Sequence, residues 1–270
     1  MSVILAILVM GLIGGTFGYA LAVLDKKLHV TEDPLVEEII ALLPGVNCGA
    51  CGQAGCSAYA RHAVKTKEIG SGCLPAGDEI NAQIAAKLGV DHSGGFVSLK
   101  LIVKCSAGCN NQMRSYEYRG PASCAVCHAS GGNIDCTTGC LGLGDCVKAC
   151  PVGALSIVDG RVLIDNEKCI TCRACVKACP RSLLELVETG QFDRFYYVVG
   201  CNNPDDAIST KKVCKTGCIG CGICVKMVNE SPFYVEHKIS RLNYKKAAGR
   251  TDLDKAVEKC PVKIISKFQK

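Results

Sequence analysis

Tryptophan is absent from this 270-residue sequence, and aromatic residues make up only 5% of it. Large aromatic side chains usually provide much of the apolar core of a globular domain. A chain of this length can still form one or more small domains. Small domains with few bulky apolar residues usually depend on disulfides or bound metal, and we expect one of the two here.

Nucleotide-binding and catalytic patterns are also missing. No G-x-G-x-x-G sequence follows an apolar strand, and no P-loop occurs. No nucleophile, acid or base stands out, so no catalytic side chain is predicted. The net charge of +6 is too small to indicate nucleic-acid binding. NAD, flavin and ATP binding by this chain are therefore not supported.

Charge is absent from Ser2 to Leu24, and Asp25, Lys26 and Lys27 follow. An apolar helix of about 20 residues can cross a membrane. A signal peptide would have a basic start and a shorter apolar stretch. Lysines at the C-terminal end predict that this end is cytoplasmic. We expect residues 1–27 to be a single-pass anchor in the cell (inner) membrane, with the remainder in the cytoplasm.

Cysteine, by contrast, occurs 22 times. Cys169-x2-Cys172-x2-Cys175-x3-Cys179-Pro180 is the run that binds [4Fe–4S] clusters in bacterial ferredoxins, where the fourth cysteine serves a second cluster. Abundant cysteine is also typical of disulfide-bonded secreted domains. The short spacings and the missing signal peptide favour iron–sulfur ligation.

Residues 28–90 are predicted to form a small helical domain. Capping and turn residues predict three helices, beginning near Asp33, Cys56 and Asp78. The loops beside them contain Cys48, Cys51, Cys56 and Cys73. Free backbone amides near helix N-termini suit an anionic cluster, because they can donate hydrogen bonds to its sulfurs. A four-cysteine zinc site is the alternative.

Residues 91–195 are predicted to form a ferredoxin-like domain with two clusters. Asp159-Gly160, between two apolar stretches, predicts a β-hairpin with a type I′ turn. A second cysteine group precedes the 169–179 run, and ligands are expected to cross between the two groups as in bacterial ferredoxins. The predicted sets are Cys136, Cys140, Cys146 and Cys179, and Cys150, Cys169, Cys172 and Cys175.

Residues 196–270 are predicted to be a degenerate ferredoxin-like domain with one cluster. Val228 stands where a fourth cysteine belongs, and the neighbouring site has lost its ligands. The predicted ligands are Cys218, Cys221, Cys224 and Cys260. The predicted fold class is α+β: an N-terminal transmembrane helix, a small helical [4Fe–4S] domain, and ferredoxin-like (βαβ-type) domains.

An internal repeat underlies the choice of Cys136. The sequence of residues 136–142 recurs at 214–220, and that of residues 108–111 recurs at 200–203. The first of these alignments places Leu143 opposite Cys221. The first copy of the repeat therefore lacks its middle cysteine ligand. Six cysteines remain unassigned: Cys105, Cys109, Cys124, Cys127, Cys201 and Cys214. The first four could form a fifth metal site or be buried thiols. The chain is thus expected to hold four [4Fe–4S] clusters, or five.

The motifs together resemble the B subunit of the Rnf complex over essentially the whole chain. The resemblance rests on the anchor, on the sequence CGACGQAGC at 48–56 with the later Cys73, and on the ferredoxin runs. It implies an electron-transfer subunit of a membrane-bound ferredoxin:NAD+ oxidoreductase that is coupled to Na+ or H+ translocation. The implied partners are soluble ferredoxin, integral-membrane subunits, and subunits that bind flavin and NAD.

Other interpretations remain open from the sequence. A polyferredoxin subunit of another membrane redox complex would carry similar runs, and the 48–73 motif also resembles the cluster domain of the soluble corrinoid iron–sulfur proteins. A zinc-stabilised adaptor is a third alternative, against which the Cys-x3-Cys-Pro sequences argue.

The stretch 237–250 has no acidic residue and is either a solvated face or a docking patch for an acidic partner such as ferredoxin. Its basic residues are Lys238, Arg241, Lys245, Lys246 and Arg250.

Overall fold

The computed structural model describes residues 2–28, 33–70, 72–91, 99–188 and 195–269. The helices are α1 Ser2–Leu28, α2 Pro34–Leu42, α3 Cys56–Thr66, α4 Gly77–Leu88, α5 Cys124–Ala129, α6 Asp145–Lys148, α7 Ala174–Ala178, α8 Ala207–Val213, α9 Ile223–Lys226, α10 Tyr244–Ala247 and α11 Asp254–Lys259. The strands are β1 Leu99–Val103, β2 Leu155–Val158, β3 Arg161–Ile164, β4 Leu184–Glu188, β5 Phe195–Val199, β6 Phe233–Glu236, β7 Ile239–Leu242 and β8 Ile265–Gln269.

Helix α1 packs against no other part of the described chain. Its stretch Ile7–Leu24 has a mean hydropathy of 2.1 and is entirely unburied. The helix is long and apolar enough to cross a membrane, as the sequence predicts.

The three predicted helices of the first domain are present as α2, α3 and α4. Asp33 caps α2 by accepting a hydrogen bond from the Leu35 amide at 2.9 Å. Gly89 ends α4 in the left-handed conformation, with φ of 68°. The helices enclose a small core in which Ile39 and Ile84 are fully buried.

The remaining chain forms two similar units, each built from two antiparallel strand pairs. In the first unit β1 pairs with β4 and the hairpin β2–β3 lies between them in sequence; in the second, β5 pairs with β8 and β6–β7 is the hairpin. Every strand pair in the described ranges is antiparallel, so the predicted βαβ-type arrangement, which requires a parallel pair, is wrong. The predicted hairpin is confirmed: Asp159 and Gly160 have φ of 51° and 72°, as a type I′ turn requires.

The two units make equivalent hydrogen bonds where their outer strands end. The Lys104 amide donates to the Leu183 carbonyl at 2.8 Å, and the Gly200 amide donates to the Ile264 carbonyl at 2.9 Å. The units contact each other through a small apolar cluster that includes Ile102 and Val198. The internal repeat is therefore a structural repeat.

Candidate cluster sites

Four of the places where cysteines converge in the described ranges are called sites A to D. Site A consists of Cys48, Cys51, Cys56 and Cys73, site B of Cys124, Cys140, Cys146 and Cys179, site C of Cys150, Cys169, Cys172 and Cys175, and site D of Cys218, Cys221, Cys224 and Cys260. The structure brings together the predicted sets at A, C and D. At site B it replaces one predicted residue.

Site A lies in the helical domain, where polar side chains fix the cysteine loops. The Asn47 side chain accepts a hydrogen bond from the Cys56 amide at 2.8 Å. Asn81 of α4 is fully buried; its Oδ1 accepts from the Cys73 amide and its Nδ2 donates to the Cys73 carbonyl, both at 2.8 Å. These contacts hold two of the four thiols against the helical core.

Three cysteine loops in the two units share one backbone shape. The second and fourth residues between the outer cysteines have positive φ in each loop: Gly142 and Gly144 at 71° and 87°, Thr171 and Arg173 at 54° and 63°, and Gly220 and Gly222 at 63° and 69°. The middle position holds Leu143 in the first loop and cysteine in the others. The first loop therefore has the shape of a cluster-binding loop but lacks one thiol.

Cys124, rather than Cys136, lies with the other three thiols of site B. A cavity between the first unit's loop and β4 is lined by Cys124, Cys140, Cys146 and Cys179. Asp145 fixes α5 over the loop, since its carboxylate accepts from the Ser123 hydroxyl at 2.9 Å and from the Ala125 amide at 3.0 Å. Cys136 does not line this cavity, so its predicted place in the set is corrected. Cys136 lies in a second cavity on the other side of the first unit's loop.

Site C is formed by the 169–175 loop and by Cys150, whose sulfur accepts a hydrogen bond from the Ala154 amide at 3.2 Å. It shares one apolar cluster with site B, which includes Cys146 and Cys175. The two sites are therefore neighbours, connected by the crossed ligands Cys150 and Cys179.

Site D occupies the corresponding position in the second unit. The Ser240 hydroxyl lies 3.1 Å from the Cys224 sulfur, and the Ser240 amide donates to the Cys218 sulfur at 3.4 Å. Val228, at the position equivalent to Cys150, is buried in an apolar cluster with Leu253 and Ala256. Apolar packing has thus replaced the thiol of the neighbouring site, in agreement with the loss of ligands that the sequence predicts.

Burial raises the pKa of six of these thiols, Cys73, Cys140, Cys146, Cys169, Cys175 and Cys224. Desolvation is the largest cause, and nearby cysteines add to it, so that the pKa is about 11 for Cys73, Cys140, Cys146 and Cys175. Metal ligation requires the thiolate. These four thiols therefore stay neutral at pH 7 until a positively charged metal centre compensates for their ionisation.

Arg181 is a buried cation beside these thiols. Its guanidinium donates to the carbonyls of Cys136 and Gly139 at 2.8 and 2.7 Å, and its Nε has no hydrogen-bond partner within the described ranges. Desolvation lowers the pKa of Arg181, and ionised thiolates at Cys136 and Cys127 would oppose this. A buried charge requires a counter-charge, and an anionic cluster bound by thiolates would provide one.

The cysteine geometry fits clusters better than single metal ions. Within the described ranges, no group of three or more His, Cys, Asp and Glu side chains can hold one metal ion. The thiols at sites B and D instead surround cavities. A zinc ion would require four sulfurs at about 2.3 Å from one point, whereas a [4Fe–4S] cube carries its four thiolates on separate corners.

The other unassigned cysteines do not form the fifth site that the sequence allowed. Cys109 is exposed and packs against the β2–β3 turn, with its amide donating to the Asp159 carbonyl at 2.8 Å. Cys127 is fully buried in an apolar cluster with Ile134 and Leu141. Cys105 lies in the cavity that also contains Cys136.

Comparison with protein families matches two parts of the chain. A family described as a putative Fe–S cluster matches residues 43–75, which contain site A. A family described as a 4Fe–4S dicluster domain matches residues 132–180, which contain sites B and C except for Cys124.

Three curated relatives, all named as B subunits, match nearly the whole chain. The B subunit of the ion-translocating oxidoreductase complex of Methanosarcina acetivorans is 35% identical over 265 residues, which are 96% of this chain and 96% of the relative. That of the Na(+)-translocating ferredoxin:NAD(+) oxidoreductase complex of Acetobacterium woodii is 35% identical over 267 residues, 98% of this chain and 78% of the relative. That of the proton-translocating ferredoxin:NAD(+) oxidoreductase complex of Clostridium ljungdahlii is 32% identical over 266 residues, 98% and 92% of the two chains.

Proposed function

Because the chain belongs to the B-subunit family of ion-translocating ferredoxin:NAD+ oxidoreductase (Rnf) complexes, we propose that it relays electrons from reduced soluble ferredoxin to the membrane subunits of such a complex. The names of two relatives include Na+ or proton translocation, so the electron flow would drive movement of one of these ions. Flavin and NAD would bind to other subunits, since this sequence has no nucleotide-binding motif.

One observation carries this proposal: thiols surround cavities at places where backbone amides point at the sulfurs. The Ala154 amide donates to Cys150, and the Ser240 amide donates to Cys218. Hydrogen bonds to cluster sulfurs and burial are among the features that set the potential of an iron–sulfur cluster. A bound [4Fe–4S] cluster would supply one-electron chemistry, and the chain would hold it, exclude water and set its potential.

Site D is the proposed point at which electrons arrive from ferredoxin. Cys221 is exposed, whereas the other cysteines of sites A to D are buried or half-buried. The β6–β7 turn, which carries the exposed Lys238, packs on the site D loop: a Cβ on Gly220 would lie 2.6 Å from the Lys238 carbonyl oxygen. A cationic surface beside an accessible cluster suits an acidic electron donor.

The structure reduces the number of basic residues in the stretch 237–250 that are available for docking. Arg250 is bound to Asp252 and to the carbonyls of Asn229 and Glu230, and Arg241 donates to the Asn202 side chain. These two arginines stabilise the tail unit. The exposed lysines that remain for docking are Lys238, Lys245 and Lys246.

Helix α1 is proposed to anchor the chain, with the cluster domains on the cytoplasmic side. Its apolar stretch is followed by Lys26 and Lys27, which favour a cytoplasmic location of that end. The anchor would keep site A, the next domain in the sequence, close to the membrane subunits.

Rapid mixing tests the proposed relay. The anaerobically purified chain is mixed with reduced ferredoxin, and the visible absorbance and EPR spectrum are followed on freeze-quenched samples. We expect ferredoxin to be oxidised while the [4Fe–4S] signals of the chain appear. A chain that contains oxidised clusters reducible by dithionite but accepts no electrons from ferredoxin would contradict the proposal.

A further inference from the structure

Four cysteines outside sites A to D line one cavity between the two strand-paired units. Its lining includes Cys105 and Cys136 from the first unit and Cys201 and Cys214 from the second. We call this place the shared cavity. Neither family match assigns it, and each unit contributes only half of its thiols.

The lining of the shared cavity is symmetric. Cys105 and Cys201 each lie two residues after an outer strand, β1 or β5. Cys136, Thr138 and Gly139 face it from one unit, and Cys214, Thr216 and Gly217 face it from the other. The structure thus pairs Cys201 with Cys105, which corrects the alignment of residues 108–111 with 200–203. Two equivalent half-sites meet across the boundary between the units.

Backbone hydrogen bonds hold the two half-sites together. The Met113 amide donates to the Val213 carbonyl at 2.9 Å, and the Lys215 amide donates to the Asn111 carbonyl at 2.8 Å. Gln112 forms an antiparallel bridge with Cys214 between these bonds. The Ser106 amide donates to the Gly200 carbonyl at 2.9 Å. The cavity is therefore part of a defined interface.

Each of the four sulfurs has a hydrogen-bonding neighbour. The amides of Cys140 and Cys218 donate to Cys105 and Cys201, in both cases at 3.3 Å. The hydroxyls of Thr138 and Thr216 lie 3.7 Å from the sulfurs of Cys136 and Cys214. Polar groups around four buried sulfurs are what an anionic iron–sulfur centre requires.

The size and charge of the surroundings agree with the same ligand. The shared cavity has a volume of about 20 Å³, equal to that of the cavity at site D. Arg181 lines the site B cavity and donates to the carbonyls of Cys136 and Gly139, which line the shared cavity, so its buried positive charge lies next to both cavities. Four neutral buried thiols would leave this cation without a counter-charge.

We propose that Cys105, Cys136, Cys201 and Cys214 hold a fifth [4Fe–4S] cluster that bridges the two units. This rests on the proposed function, because it adds a carrier to the same electron path. Cys140, a site B residue, donates through its amide to Cys105, and Cys218, a site D residue, donates to Cys201. The bridging cluster would accept one electron from the site D cluster, which is oxidised, and pass it to the site B cluster, which is reduced. The step transfers only an electron, and no bond to carbon, nitrogen or hydrogen forms or breaks.

Metal content of the full chain, purified without oxygen, tests the bridging cluster. Five [4Fe–4S] clusters predict about 20 irons and about 20 acid-labile sulfides per chain. Cys201→Ala with Cys214→Ala removes half of the ligands and should lower both values to about 16. The matched control is Cys109→Ala, which removes an exposed thiol that lines none of these cavities and should retain all iron.

The outcomes separate this inference from the proposed function. A wild-type chain with about 16 irons that dithionite reduces would overturn only the bridging cluster. Zinc without labile sulfide would overturn both. If the double variant loses all iron through misfolding, the wild-type count decides alone. Retention of wild-type iron and sulfide in a folded double variant would contradict the assignment.

Discussion

Gly220 shows how one residue controls the shape of a cluster loop. It has φ of 63°, and a Cβ would lie 2.6 Å from the Lys238 carbonyl oxygen. Gly222, in the same loop, has φ of 69° but open space around its missing Cβ. Both glycines have positive φ, but only Gly220 lacks space for a Cβ. Comparing substitutions at the two positions therefore distinguishes the effect of backbone strain from the effect of a steric clash.

Gly220→Ala should displace the β6–β7 turn and weaken ligation at site D. We expect loss of about four irons, one [4Fe–4S] cluster, and a lower melting temperature. Gly222→Ala is the control; it should cost about 1–2 kcal/mol for the left-handed conformation and keep its iron. Iron analysis and thermal unfolding measure both effects. Equal iron in the two variants would contradict the steric argument.

Arg181 is the residue whose charge should affect the potential of site B. Arg181→Met removes a buried positive charge that would stabilise the reduced cluster, so the potential should fall by on the order of 50 mV. An EPR-monitored redox titration measures this, with Arg181→Lys expected to restore part of the shift. Arg119→Met is a control, because Arg119 is 83% exposed and pairs with Glu117. An unchanged potential in Arg181→Met would show that its charge is neutralised elsewhere.

At the scale of elements, helix α4 stabilises site A through Asn81. Asn81→Leu keeps a side chain of similar size but removes the partner of the Cys73 amide, at about 1–3 kcal/mol, while the Cys73 carbonyl keeps only the hydrogen bond from the Ala76 amide. We expect a lower melting temperature and preferential loss of the site A cluster, measured by unfolding and by iron content.

Gln83→Leu is the matched control for this change, since Gln83 is exposed on the same helix. It should leave both iron and melting temperature nearly unchanged. If the two variants behave alike, the Asn81 hydrogen bonds do not position Cys73.

Local signals in the sequence were sufficient for the helices of the first domain and for the β2–β3 hairpin. Asp33 and Gly89 mark helix ends, and Asp159-Gly160 marks the hairpin, because capping and turn preferences act within a few residues. The antiparallel pairing of β1 with β4 could not be predicted in this way, since it joins strands that are distant in the sequence, Leu99 with Glu188 at one end. Long-range pairing depends on the packing of the whole unit.

The short range of local sequence signals also explains why Cys136 was predicted as a ligand of site B. The repeat correctly equates Cys136 with Cys214, but it carries no information on the extra residues between Cys105 and Cys136. Those residues contain α5, and Asp145 fixes its start over the cluster loop. The connection between Cys105 and Cys136 in the first unit is longer than the connection between Cys201 and Cys214 in the second. This difference in length was the available signal that a ligand is supplied from outside the repeat.

At the scale of the whole molecule, sites B, C and D and the shared cavity form a connected series across both units. Site D is linked to the shared cavity through Cys218, the shared cavity to site B through Cys140, and site B to site C through the crossed ligands. Two copies of a ferredoxin-like unit would thereby become one electron path. The exposed end of this series lies at Cys221.

Charge reversal in the basic tail segment 237–250 tests where ferredoxin docks. Lys245→Glu with Lys246→Glu should slow reduction by ferredoxin about tenfold at low ionic strength, and the difference should shrink as salt screens the charges. The lost Lys245–Glu188 ion pair is 3.1 Å long and exposed, so it contributes little to stability. Stopped-flow rates across a salt series measure the effect.

The control for docking is the same charge change in the helical domain, Lys65→Glu with Lys67→Glu. Both lysines are exposed there, and we expect rates near those of the wild type. Equal slowing by the two double variants would indicate a general effect of net charge and would remove the tail lysines as the docking patch.

The most direct test of the central claim is the iron, acid-labile sulfide and zinc content of the anaerobically purified chain, with EPR spectra after dithionite reduction. The account predicts about 20 irons with equal sulfide, little zinc, and signals broadened by interaction between neighbouring clusters. Zinc in place of iron, without sulfide or a reducible signal, would contradict an electron-carrying role for this chain.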